Sequence, residues 1–404
     1  MAVSASASAS TSAGALALAA RSAGAAGRLL LDAVREPLGR ALPRTPEQLV
    51  RPEVLNGLLS GRDRVASARL PGVDFESSNC RNFLVEVEAA SGSDLPATLY
   101  AKLPGDALAT RLFAGAVGFW ELECHFCEQV AAQVPIRVPR VYSVSRRGSR
   151  FVLLLENLRA DPSVKLFLNR DMAAGTTVAR ARRCLSMFAE LHAGFDGWSA
   201  ERREAILPLR LHPFLSASSR AIARALNAAA IGPCARAAPD LFGPELAALC
   251  RRALARWEAL LDFWYQGPLT LVHGDSHLAN TFEYGTPDGP RIGMLDFQAV
   301  HWSKGIRDVQ YFLIHSLEPD LLAEHEEALI DHYLAELAGR GVMLGPEEAR
   351  EQYRAFSFQT LMVGVVSLGL GGLSEREDTV RTVLRREVAA IERLRFGEWL
   401  GGLA

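Results

Sequence analysis

The chain is poor in cysteine for its size: six among 404 residues, at irregular spacings. A disulfide framework needs a denser and more regular set, so these read as reduced thiols in a cytoplasmic type of compartment. No apolar run reaches the roughly 18 residues that a membrane-spanning helix requires. The longest candidate, near Leu361 to Leu373, is shorter and broken by glycines, so no membrane span is expected. No block of Lys and Arg is dense enough to track a phosphate backbone, the net charge is -2 and the pI is about 6.5, which together argue against nucleic acid as a partner. No GxxxxGK[ST] occurs, and the P-loop nucleotide binders are excluded with it.

What is present is an ordinary globular composition, 49% hydrophobic and 22% charged, over a length that suits two domains or two lobes of one enzyme. The opening thirty residues are the exception, being rich in Ala and Ser with no acidic residue before Asp32. Residues 1–34 are expected to form a disordered tail, a transit peptide being the second reading. Cys124 and Cys127 make a CxxC without a second one to complete a zinc site, inside a helical pattern, and read as ordinary thiols. The "GLGG" at Gly369 to Gly372 follows a helical rather than a strand pattern and is not a dinucleotide loop.

Between Thr45, a helix cap with Gln48 three positions on, and Gly61 the spacing predicts a short amphipathic helix. Period-two alternation over Cys80 to Ala90 and Pro96 to Pro104 predicts a hairpin. A helix follows over Leu108 to Val134, then two more strands within Arg137 to Leu158 around Gly148. After Asp171 helical periodicity dominates, interrupted over Leu269 to Asp296, where "LTLVHGD" and "RIGMLD" each end in an aspartate. The expected fold is α+β in two lobes: residues 35–158 as a small antiparallel sheet with one main helix, and residues 159–404 as a larger helical lobe, with the aspartates facing the seam.

"LVHGDSHLANTF" (Leu271 to Phe282) admits three chemistries. His273, Asp275 and His277 alternate and would share one face of a strand as metal ligands. An HxD iron site would add His301 or His315 as third ligand. In a phosphoryl-transfer loop, Asp275 accepts the proton of a substrate hydroxyl, while Asn280, five positions on, turns its amide oxygen to magnesium. The third accounts for more of the sequence. An iron oxygenase needs a β-rich scaffold, whereas helix dominates after His277, and a zinc site leaves Asn280 and "IGMLDFQ" unexplained. The last segment supplies a second metal-binding aspartate, Asp296, at a strand end.

Phosphoryl transfer also needs a cation on the nucleotide phosphates, held by a carboxylate. Lys102 lies inside the apolar strand "TLYAKLP", and Glu123 lies within the apolar stripe of the next helix, with Phe119 and Trp120 before it and Phe126 and Cys127 after. The "ESSNC" turn at Glu76 to Cys80 could cover phosphates with backbone N–H groups and the hydroxyls of Ser77 and Ser78, although it is not glycine-rich.

On "LVHGDSHLANTF", "IGMLDFQAVHWSKGIRDVQYFL", "LLLENL", "YAKLP" and "ELECHFCEQV", the chain resembles the kinase-like phosphotransferase superfamily of aminoglycoside phosphotransferases and choline kinases over roughly Thr45 to Gly397. It is most similar to the ecdysteroid kinase-like branch. The resemblance implies a protein kinase-like two-lobe fold and an ATP- and magnesium-dependent kinase acting on a small-molecule hydroxyl. It makes Asp275 the base, Asn280 and Asp296 the magnesium ligands, and Lys102 with Glu123 the phosphate-positioning pair. The backbone of Glu156 to Leu158 would meet the adenine, while His273 and Asp308 would be structural supports; His192 reads as a packing histidine. The apolar stretch Tyr353 to Leu370 is either a pocket wall for a lipophilic alcohol or a core helix. A silent binding module of the same fold is the alternative to an enzyme, but it would be expected to lack Lys102, Asp275 or Asp296, and all three are there.

Overall fold

The alternating stretches of the first half form one antiparallel sheet of six strands: β1 (Val65–Arg69), β2 (Asp74–Phe75), β3 (Cys80–Ala89), β4 (Thr98–Pro104), β5 (Val141–Arg147) and β6 (Arg150–Glu156). Its order is β1-β3-β4-β6-β5, with β2 on β3. The computed structural model describes residues 2–37, 41–75, 80–371 and 377–403, with side chains from residue 13. The chain divides into two units, one of Leu18–Gln133 and Val138–Val164, the other of Met1–Ala17, Val134–Arg137 and Lys165–Ala404.

In the sheet unit the alternation sorts side chains to two faces. Leu99, Ala101 and Leu103 of β4 join Phe83, Val85, Val152 and Leu154 in one apolar cluster. Leu49 and Leu55 cover that cluster from the short helices α2 (Pro46–Leu49) and α3 (Pro52–Leu58), which follow α1 (Ala2–Arg35). The Thr45 hydroxyl caps α2 as expected, but Pro52 starts a new helix, so the single helix read from the sequence is two. On the opposite face Cys80, Phe151 and Leu153 pack with Ala114, Trp120 and Cys124 of α4 (Leu108–Val117) and α5 (Phe119–His125). The helix expected over Leu108 to Val134 is broken at Gly118, whose φ of +94° only glycine adopts readily, and ends in a π-turn at Phe126–Val130.

The Ala/Ser-rich opening is helix, not a disordered tail. Alanine has the highest helix propensity of any residue. The far end of α1 is also anchored: Asp32 is buried and accepts hydrogen bonds from Ser149 N–H and Oγ at 2.7 and 2.6 Å.

The second unit is helical, with α6 (Asn169–Ala174), α7 (Val178–Phe195), α8 (Ala200–Ile206), α9 (Ala217–Ala237), α10 (Pro244–Ala255) and α11 (Trp257–Tyr265) before the loop at residues 273–280. After it come α12 (Ile306–Ser316), α13 (Pro319–Ala338), α14 (Pro346–Leu370), α15 (Glu377–Arg393) and α16 (Phe396–Gly402). Its strands are short: β7 (Lys165–Leu166), β8 (Thr270–Val272), β9 (Thr281–Thr286), β10 (Gly289–Met294) and β11 (His301–Ser303), paired as β10-β9-β7 and β11-β8. The α+β class is as expected.

The stretch read as either pocket wall or core helix is core as far as Val365, with Val366 to Gly369 half-buried and Leu370 exposed. From Ala349 to Val365, α14 is buried on nearly all sides, with Tyr353 donating to Glu326 at 2.7 Å and Ala355 O accepting from Trp264 at 3.2 Å. Its apolarity therefore says nothing of a substrate. No helix of the described residues is long and apolar enough to cross a membrane.

This unit carries an acid-sensitive interior. Burial lowers the His212 imidazole to about 4, and the geometry requires the neutral ring: Nδ1 accepts the N–H groups of Phe214 and Leu215, and Nε2 donates to Trp302 O at 3.0 Å. Below pH 6.5 the unfolded chain takes a proton that the folded one refuses, so stability should fall as pH drops from about 6.5 to 4, by up to about 3 kcal/mol from this ring. His273, His301 and His315, lowered by burial as well, act in the same direction. Urea unfolding at pH 7 and pH 5 should show the loss, and His212→Gln should shrink the difference by about 2 kcal/mol. An unchanged difference would refute the assignment.

Candidate active site

The loop after β8 is organised by one buried carboxylate. Asp308, fully buried in the first turn of α12, accepts the backbone N–H of His273 at 2.6 Å with one oxygen and that of Gly274 at 3.1 Å with the other. Its carbonyl receives the Ser276 hydroxyl at 3.0 Å, and His192 Nε2 and Arg307 each reach the carboxylate at 3.4 Å. Burial alone would push this carboxyl up; the His192 hydrogen bond and the charges of His192 and Arg307 hold it far below the usual range instead. His192 is thus more than packing, being fixed on its other side by Tyr333 at 2.9 Å.

His273 is fully buried and commits both ring nitrogens to the backbone. Nδ1 accepts Asp275 N–H at 3.2 Å and Nε2 donates to Leu295 O at 2.9 Å, tying the loop to the chain just before Asp296. With no lone pair left over, this ring cannot ligate a metal. Among the described residues no group of three or more His, Cys, Asp or Glu is placed to hold one. His301 donates to Ala299 O, and His315 is bonded to Glu387. The zinc and iron readings therefore fail. Gly274 has φ +85°, and a Cβ there would stand 2.0 Å from Ala299 O.

Asp275 keeps about a quarter of its side chain exposed. Oδ1 accepts the Tyr311 hydroxyl at 2.7 Å, and Oδ2 accepts Asn280 Nδ2 at 3.1 Å, with His277 Nε2 at 3.6 Å. Burial raises this carboxyl, but neighbouring His277 and the Tyr311 hydrogen bond bring it on balance below the ordinary value. It is ionised at neutral pH. Asn280 is pinned again by the Asp275 carbonyl, which accepts from Nδ2 at 2.8 Å, so Oδ1 is the acceptor left to it. The Asn280 carbonyl takes Leu295 N–H at 3.0 Å, which sets Asp296 beside Asn280 in sequence-distant but adjacent backbone. Asp296 has φ +66°, one of only two non-glycine residues in the left-handed region among those described. Asp is among the few residues that tolerate this, and such strain gathers at functional sites.

Tyr311 was not found from the sequence. The signal was there: Asp308 and Tyr311 stand three apart on α12, on one face, both polar within a buried helix.

In the sheet unit, Lys102 and Glu123 meet at 2.5 Å with side-chain exposures of only 7% and 4%. Lys102 lies in β4, flanked by β3 through Asn82 and by β6 through Leu153, so it is not a snorkelling edge residue. A charge this deep needs its partner; removing one member of such a pair typically costs about 3–5 kcal/mol. Glu156 N–H donates to Arg140 O, so that amide is already engaged, and Asn157 caps the turn that begins at Leu158. Ser77 and Ser78 lie outside the described residues. The CxxC thiols form no disulfide, and burial pushes the Cys124 thiol up.

The sequence profile of the ecdysteroid kinase-like family matches residues 126–345, more than half of the chain, and includes the Asp275, Asn280 and Asp296 loops. No curated protein matches the sequence. Among solved structures, a microcompartment-associated aminopropanol kinase is similar at 16% identity and TM-score 0.49, over 86% of this chain and 95% of its own. An ethanolamine kinase of Plasmodium vivax follows at 12% and 0.48, over 82% and 84%. A choline kinase of Cryptosporidium parvum Iowa II stands at 10% and 0.46, over 81% and 89%. These likenesses are too distant to carry an argument about chemistry, and the family match rests on the sequence. The chain belongs to the ecdysteroid kinase-like family of the kinase-like phosphotransferases.

Proposed function

We propose that the protein transfers the γ-phosphoryl group of ATP to a hydroxyl of a small molecule, with magnesium. The observation that carries this reading is Asp275: an ionised, partly exposed carboxylate whose two oxygens are oriented by Tyr311 and Asn280 on a loop clamped by Asp308. A base held in this way accepts the hydroxyl proton as the oxygen attacks phosphorus. Catalysis is then positioning and charge neutralisation more than covalent chemistry.

The donors fit magnesium. An amide oxygen and a carboxylate, Asn280 Oδ1 and Asp296, are hard oxygen ligands of the kind Mg²⁺ takes in ones and twos, the remaining positions going to water and phosphate. When bound, the ion neutralises charge on the transferring phosphates. Lys102, oriented by Glu123, supplies a further cation to the nucleotide phosphates. Adenine recognition falls to the backbone around Glu156 and Leu158, the Glu156 carbonyl and Leu158 amide rather than the Glu156 amide. Ser77 and Ser78 are kept as candidate phosphate contacts. His273 and Asp308 act as supports that set the loop.

Replacing Asp296 tests the metal role. Asp296→Ala should abolish magnesium-dependent ATP binding by calorimetry. Asp296→Asn, which keeps tolerance of the left-handed backbone, separates loss of charge from loss of loop shape. Unchanged affinity for Mg-ATP in both variants would remove Asp296 from the site.

A further inference from the structure

A cavity of about 40 Å³ lies in the sheet unit, walled by the far end of α1, the α4–α5 junction and the β5–β6 hairpin. That is room for about three waters, or one small oxyanion, at roughly 10–15 Å³ each. Four arginines line it, Arg28, Arg111, Arg146 and Arg150, against one carboxylate, Glu121. Glu121 is bonded to Arg146 at 3.2 Å, and Glu36 pairs with Arg150 at 2.7 Å from outside the lining. Among the described residues Arg28 and Arg111 have no carboxylate partner: Arg28 donates to Gly115 O at 3.1 Å and Arg111 to Ser149 Oγ at 2.8 Å.

Three N–H donors of the lining are buried without an acceptor: Nε of Arg111, Nε of Arg150 and the indole Nε1 of Trp120. Trp120 and Arg150 are 6% and 4% exposed. Asp32 holds Ser149 with one carboxylate oxygen and faces Arg35 at 3.8 Å with the other. Burial lowers the Arg111 guanidinium, and the arginines Arg150 and Arg44 lower it further, ahead of the opposing effect of Asp32 and Asp106. Four guanidinium groups thus surround one small space, against the carboxylate of Glu121 in its wall and those of Glu36 and Asp32 beside it. A ligand made only of acceptor oxygens is the kind that guanidinium groups bind, through charge-assisted hydrogen bonds.

We propose that this cavity binds a small tetrahedral oxyanion, inorganic phosphate or the phosphate of a small monoester, independently of the catalytic loop. Gly118, Trp120 and Glu121 of its wall belong to the turn and first residues of α5, the helix that holds Glu123 against Lys102. An occupant would therefore steady the segment that carries the buried ion pair.

The test is calorimetric titration of the full chain with inorganic phosphate, against chloride at matched ionic strength, with thermal unfolding alongside. Phosphate should bind and raise the Tm by about 2 °C or more near ten times its Kd. Arg111→Gln should weaken binding at least about tenfold while leaving Tm in chloride unchanged or higher, since it removes an uncompensated charge. Arg146→Gln, at an exposed position, should weaken it several-fold and carries the test should Arg111→Gln not fold. Phenyl phosphate in a parallel titration separates the sources: binding supports an esterified ligand, exclusion a free one. Absence of phosphate binding, or wild-type affinity in the variants, would overturn the proposal.

Discussion

Asp275→Asn is expected to lower turnover by about 10² to 10⁴-fold, the usual contribution of a general base, with the fold preserved. The preserved fold follows from the geometry. An amide oxygen at 275 still accepts one of the two hydrogen bonds now made by Tyr311 and Asn280, while its NH₂ can donate to the Tyr311 oxygen. The backbone of the loop is held by Asp308 and His273, not by the side chain that is changed. A screen of small alcohols for ATP consumption supplies the assay, and the variant is its control. Full activity with an accepted substrate would sink the assignment of Asp275, even if Mg-ATP binding and its dependence on Asp296 stood.

The second large effect is on stability. Asp308→Ala removes the acceptor of two backbone N–H groups, of His192 and of Arg307, all in the fully buried floor of the loop. Leaving a buried guanidinium and several donors without a partner costs about 3–5 kcal/mol. The urea midpoint should drop accordingly, and activity should fall with it, whereas Asp275→Asn should lose activity alone. If Asp308→Ala unfolded within about 0.5 kcal/mol of the parent, as a surface substitution does, the clamp would not be what holds the loop.

How much of this was legible follows from where the signal resides. That Asp275 and Asn280 meet could be read from their spacing in one short loop, and that Lys102 and Glu123 pair could be read because a charge inside an apolar pattern demands a partner. Tyr311 escaped because its partner is 36 positions away and its polarity is confined to one hydroxyl. The opening helix was misread because composition speaks of core-building and not of propensity: a chain too small-sided to build a core can still coil on alanine. α9 offered no clear stripe, being Ala-rich with Pro233 inside it. The break at Gly118 was hidden because apolar periodicity resumes in phase closely enough on either side to look continuous.

Gly274 and Asp275 sit side by side and answer to different demands. The glycine is there because its φ is positive and the Ala299 carbonyl leaves no space for a Cβ, so any other residue would displace the neighbouring strand connection. The aspartate keeps only about a quarter of its side chain open to solvent, and the loop's backbone is held by Asp308 and His273 rather than by it. If the proposed reaction were given up and only binding kept, the second would be dispensable and the first would not. On the proposed chemistry, a chain that loses Asp275 and keeps Gly274 loses the reaction and keeps the loop, while one that loses both loses the loop itself.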